Sequence, residues 1–153
     1  MAEPRVGILI GSESDRPVME RCLAQLEELG VAAELRCLSA HRTPDAVREY
    51  ARAAEKRGIR VLVAGAGMAA HLAGALAAES LLPVVGVPLD AGPLHGVDAL
   101  LSTVQMPRGV PVACMAIGES GAANAAVFAA EILALEDGTV RERLERLRAG
   151  WKK

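Results

Sequence analysis

Aromatic side chains are scarce: Tyr50, Phe128 and Trp151 are the only ones in 153 residues. A chain so poor in flat rings offers no platform for stacking successive bases and little to lay against an isoalloxazine. An excess of either charge is missing too. Lys and Arg number 17 against 19 Asp and Glu, a formal net charge of −2, which argues against a basic face that tracks a phosphate backbone. Nucleic acid is therefore not an expected partner. Long apolar runs are absent, each being broken by Gly, Pro or a charge, and the opening "MAEPRVGILIG" lacks a basic segment followed by an extended apolar one. The expectation is a soluble cytoplasmic protein with no membrane partner. Cysteine is sparse and odd in number, Cys22, Cys37 and Cys114, with no CxxC spacing, so buried free thiols are expected in place of a disulfide or a metal cage.

What is present is the composition of a packed core, 52% hydrophobic and 24% charged residues, in a length that suits one domain over 1–153. Five apolar runs, "RVGILI", "AELRCL", "RVLVAG", "PVVGVP" and "PVACMAI", alternate with helical patterns. Such alternation predicts a βα repeat and a parallel sheet, and continuous Val/Ile/Leu runs suit strands covered by helices on both faces. Asp15 is a candidate cap for a helix over 16–29 that Gly30 stops, and Thr43 with Pro44 opens a helix running to about Arg57 before Gly58. Further helices are expected at about 68–80, 96–104, 119–136 and 139–151. The alanine-rich "GAANAAVFAAEILAL" is apolar almost all round and should be buried on more than one side, with another subunit as the expected second cover.

In a doubly wound sheet, function collects on loops leaving the carboxyl ends of strands. "GSESD" brings Gly11 and the Ser12 and Ser14 hydroxyls to a helix N-terminus that attracts anions. Asp15 would repel a phosphate, so it suits neutral hydroxyls such as a ribose diol. Alone, the segment also reads as a turn closed by a capping aspartate. "SAHRTP" sets His41 beside Arg42: a guanidinium forks two hydrogen bonds onto a phosphate, and imidazole both gives and takes a proton near neutral pH. Each could equally be a solvated loop residue. "GAGMAA" at 65–70 matches G-x-G-x-x-A, but it follows the third strand, so close helix–strand packing explains it better than a dinucleotide site. His71 is expected inside the following helix as a pocket wall or a structural group, and His95 at the surface. No HxH, HExxH or acidic cluster accompanies them, so no metal is expected.

Taken in order, "GSESD", "SAHRTP", "AGAGMAAHLAG", "PVVGVP", "STVQMPRGVPV" and "AIGESGAANAA" resemble the PurE family, most closely its class I members, the N5-carboxyaminoimidazole ribonucleotide mutases of purine biosynthesis. The resemblance covers about residues 5–136, with the helix at about 139–151 beyond it. It implies a flavodoxin-like three-layer α/β/α sandwich with a five-stranded parallel sheet, assembled as a homo-octamer whose sites are shared between subunits, and a reaction needing no cofactor and no metal. It places Ser14, Ser39 and Arg42 near the substrate phosphate and Asp15 on the ribose. Ser12, Ala40 and His41, the stretch Ala64, Gly65 to Gly67, and Ala70, His71 and Leu72 surround the imidazole and its migrating carboxylate. His41 is the implied general acid and then base. Three positions depart from the family pattern: Ala73 where proline is usual, Met68 where a smaller residue is common, and Arg16 where tryptophan often follows. They bear on loop stiffness and pocket volume. The rival readings are a class II carboxylase using carbon dioxide directly, and a non-catalytic nucleotide-binding module on the same scaffold.

Overall fold

The computed structural model describes residues 3–152. Its strands are β1 (Val6–Ile10), β2 (Ala33–Cys37), β3 (Val61–Gly67), β4 (Val84–Leu89) and β5 (Ala113–Cys114). All pair in parallel in the order β2-β1-β3-β4-β5, the flavodoxin-like arrangement. The helices are α1 (Arg16–Glu28), α2 (Pro44–Ala54), α3 (Leu72–Glu79), α4 (Val97–Val104), α5 (Glu119–Leu133) and α6 (Gly138–Ala149).

Two apolar clusters lie on opposite faces of the sheet. One joins Ile8, Ile10, Val61, Val63, Val85 and Val87 to α1, α5 and α6; the other joins Leu9, Leu62 and Ala64 to α2 and α3. Successive strand residues point to opposite faces, so continuous Val/Ile/Leu runs feed both clusters at once. That accounts for the full burial of β1 and β4, whereas β2, at the sheet edge, stays half-exposed. The fifth run, "PVACMAI", contributes only two strand residues. It lies at the other edge and begins with Pro111, which has no N–H to give a ladder.

Gly30 and Gly58 terminate their helices as expected, both with left-handed backbone (φ 67° and 85°). The expected helix over 68–80 begins only at Leu72. Met68 has φ 52°, which no α-helix accommodates, and the residues before it extend β3. His71 therefore occupies the N-cap position of α3 instead of its interior.

The alanine-rich α5 is buried on more than one side, but the cover differs from the expectation. Its small side chains let α1 and α6 of the same chain pack closely, and Ala122, Ala125, Ala126, Ala129 and Ala130 are fully inaccessible. No second subunit is required there. The uncovered apolar surface lies elsewhere. Val97, Leu101 and Val104, at helical spacing on α4, are each about half exposed, as are Leu94 and Met68.

The thiols depart from the expectation in part. Cys22 is buried, and burial pushes its pKa up to about 12, but Cys37 and Cys114 are only half-buried because they end the two edge strands. Among the described residues no helix is long and apolar enough to cross a membrane.

Candidate active site

The sheet order reverses between β1 and β3, and the loops leaving β1, β3 and the neighbouring β2 open on the same side. Backbone hydrogen bonds hold their roots together: Leu38 N–H donates to the Ile10 carbonyl and Gly11 N–H to the Gly65 carbonyl. A cavity of about 310 Å³ lies between them, lined by residues from all three loops and by Ala91 beyond β4.

The first loop forms a single 3-10 turn, Glu13–Asp15, and closes on itself. The Ser12 hydroxyl accepts from Ser14 N–H, while Asp15 Oδ2 accepts from Ser12 N–H at 3.1 Å. This reciprocal capping box matches the reading of a turn closed by a capping aspartate, but not that of Asp15 as the cap of the helix over 16–29. The Asp15 carboxylate caps the short turn and accepts no hydrogen bond from the N–H groups of α1, because α1 continues from that turn without a fresh terminus to cap. Burial raises the Asp15 pKa, and the Ser12 N–H offsets only part of that rise. Ser12, Ser14 and Asp15 all line the cavity.

In the second loop the Ser39 hydroxyl accepts from the backbone N–H groups of both His41 and Arg42, at 3.3 and 3.1 Å. Thr43 sits at the N-cap of α2, yet its hydroxyl binds the Ser39 backbone instead of capping the helix. The loop is thereby folded into a tight hook that turns His41 and Arg42 toward the cavity. Among the described residues no carboxylate lies within ion-pair distance of Arg42, which leaves its guanidinium available to an anion.

The third loop brings His71 against His41. His41 Nε2 and His71 Nδ1 stand 2.6 Å apart, with the rings edge to face, their planes at 88°. At that separation one nitrogen carries the hydrogen and the other accepts it. Both histidines are exposed and line the cavity.

Ser12, Ser14, Asp15, Ser39, Ala40, His41, Arg42, Gly67, His71 and Leu72 all meet at this cavity. Ala64, Gly65 and Ala70 do not. Ala64 and Ala70 are buried in the interior, and Gly65 lies under Met19, where an added Cβ would come within 2.5 Å of the sulfur. Gly67 is equally confined by Ala91, at 2.6 Å from a Cβ built there. The glycines of "GAGMAA" thus serve close packing, as the position after the third strand suggested. Sequence reasoning named Gly11 in the first loop and Met68 for its bearing on pocket volume, but did not single out Ala69 and Ala91 as wall residues. For Ala91 the signal was available, since it too follows the carboxyl end of a strand.

Of the three departures from the family pattern, only Met68 borders the cavity. Ala73 is buried against the sheet, and Arg16 donates from Nε and Nη2 to the two carboxylate oxygens of Glu13. Among the described residues no three His, Cys, Asp or Glu side chains converge to hold a metal ion.

Comparison with known proteins bears on the family and the fold. The chain is 51% identical to an N5-carboxyaminoimidazole ribonucleotide mutase of Pyrococcus abyssi over 98% of its own length and 85% of that protein's. It is 50% identical to the mutase of Bacillus subtilis, over 98% and 93%. Among solved structures it superimposes on Treponema denticola PurE with a TM-score of 0.84 at 25% identity, covering 96% of this chain and 90% of that one. The family described as AIR carboxylase matches residues 5–153, a span that takes in every loop lining the cavity. With a family match over residues 5–153, about half of its residues shared with named relatives and the fold shared with a solved structure, this chain belongs to the AIR carboxylase, or PurE, family.

Proposed function

We propose that the cavity binds a 5-aminoimidazole ribonucleotide and that His41 carries the proton that moves its carboxylate. The chain is an N5-carboxyaminoimidazole ribonucleotide mutase of purine biosynthesis, the activity for which its half-identical relatives are named. The observation that carries the residue roles is the meeting of His41, Arg42, Ser14 and Asp15, from two different strand-end loops, around one cavity.

Arg42, Ser14 and Ser39 hold the phosphate, and Asp15 accepts from the ribose hydroxyls through the oxygen not taken by Ser12 N–H. The heterocycle then lies toward His41 and the third loop. Protonated His41 gives its proton to the exocyclic nitrogen as the N–C bond breaks, which releases carbon dioxide and leaves a neutral aminoimidazole. C4 attacks the carbon dioxide, and neutral His41 takes the C4 proton, restoring aromaticity. One proton leaves and returns, so no cofactor is consumed. His71 fixes the orientation of the His41 ring through the 2.6 Å contact.

Ala66, Gly67, Met68, Ala69 and Ala91 form an apolar side on which carbon dioxide has no hydrogen-bonding partner to bind it elsewhere. In the single chain that side is open. Copies of the chain assemble, to the octamer of the family, and cover it through the half-exposed face of α4 with Leu94 and Met68.

Separate offers of the two candidate substrates test the reaction. Rapid conversion of the N-carboxylated ribonucleotide is expected, with little from aminoimidazole ribonucleotide plus bicarbonate at low concentration. The reverse preference would assign the class II carboxylation instead.

A further inference from the structure

We propose that Ser102, on α4 and outside the cavity, is a positioning residue that holds the third loop so that His71 meets His41. The loop is strained. Met68 is a bulky residue with φ 52°, Ala70 N–H donates to the Met68 carbonyl only two residues back, and His71 N–H does the same to Ala69. Residues in such conformations persist only where their surroundings hold them. Gly92 offers no side chain to brace Met68, and the hydrogen bonds within the loop are the narrow three-residue kind.

The external brace is the Ser102 hydroxyl. Its Oγ lies 2.8 Å from the Asp98 carbonyl and 3.2 Å from the Ala99 carbonyl of its own helix, and 3.1 Å from Ala70 N. A hydroxyl has one hydrogen. With that hydrogen directed to Asp98, an oxygen lone pair faces the Ala70 N–H, the residue immediately before His71. The Met68 carbonyl is 3.5 Å from the same Oγ, at the limit of a hydrogen bond. Ser102 therefore ties the Ala70 end of the Met68–Ala70 turn to a helix that packs on β4. His71 follows that turn at the N-cap of α3, and a small rotation of it breaks the 2.6 Å contact to His41.

The kinetic part of the test rests on the mutase reading; the spectroscopic part does not. In Ser102→Ala, the ring nitrogen signals of the two histidines, assigned with single His→Asn variants, are expected to become those of two independent imidazoles. Turnover falls about tenfold or more with KM held within about twofold, and the pH dependence of turnover changes. Ser102→Thr keeps the hydroxyl and restores all three. A folded alanine variant with the parent's ring signals and pH profile overturns the proposal, and so does a threonine variant as impaired as alanine. Should the alanine variant not fold, Ser102→Cys replaces it, because a thiol is a weak acceptor; parental ring signals in that variant overturn the proposal equally. A parent without mutase turnover removes the assigned reaction and leaves the ring-signal comparison to decide on Ser102.

Discussion

His41 Nε2 and His71 Nδ1, thirty residues apart in the chain, meet at 2.6 Å across the cavity mouth. Neither ring alone is unusual for a loop histidine. Their contact makes one ring the hydrogen-bond partner that sets the orientation and tautomer of the other, which is what a proton carrier needs.

Replacement of the two histidines should separate carrying the proton from aiming the carrier. His41→Asn keeps polarity beside the ring but transfers no proton, so turnover should fall by about 10²- to 10⁴-fold while ribonucleotide binding by calorimetry stays near normal. His71→Asn should lose less. Near-parental turnover in His41→Asn would remove the assigned role.

Arg42 has no ion-pair partner among the described residues, so its contribution is expected to appear chiefly on ligand binding. Loss of its charge-assisted hydrogen bonds to phosphate, worth about 1.5–3 kcal/mol, should raise KM roughly 10- to 100-fold in Arg42→Ala with a smaller change in kcat. Arg42→Lys keeps the charge without the fork and should fall between. An unchanged KM in the alanine variant contradicts the phosphate contact.

Glu34 on the edge strand β2 accepts from the buried Tyr50 hydroxyl at 2.8 Å and from Arg57 at 2.6 Å. Burial pushes its carboxyl upward, but these two donors together hold it below the usual glutamate value of 4.5. A carboxyl with a lowered folded-state pKa contributes stability that is present above its unfolded value and is lost as pH falls through the lowered one. Glu34→Ala should therefore destabilise the chain by about 1–3 kcal/mol at pH 7, with Tyr50 left unpartnered. Urea denaturation of both proteins should show the difference shrinking as the pH is lowered past 4.5. A difference that stays constant into acid would show that packing, and not the carboxylate, carries it.

The half-exposed stripe of Val97, Leu101 and Val104 has the spacing of a helix–helix contact. A charge at its centre, Leu101→Glu, should leave the isolated chain folded and shift sedimentation toward smaller species, with turnover lost alongside assembly. A variant that sediments like the parent would place the contact elsewhere.

Local chemistry accounts for what the linear chain disclosed. Uninterrupted apolar runs between capped and glycine-terminated segments read as buried parallel strands joined by helices; the strand-end rule then marks the loops of Ser12, Asp15, His41 and Arg42 as candidates, and the family resemblance gives those residues their roles. Hydrogen bonds and cover between distant segments were not legible in the same way. Asp15 and Thr43 each had the chemistry of a helix cap, but which backbone N–H a short side chain finds depends on the path of the loop around it. The alanines of α5 announced close packing without saying that α1 and α6 would supply it. Met68 closed off the first turn of the expected third helix, and so placed His71 at a helix start facing His41. Periodicity and capping act over a few residues, so a sequence states them openly; contacts between loops 30 residues apart, such as that of His41 with His71, exist only once the sheet has set those loops side by side.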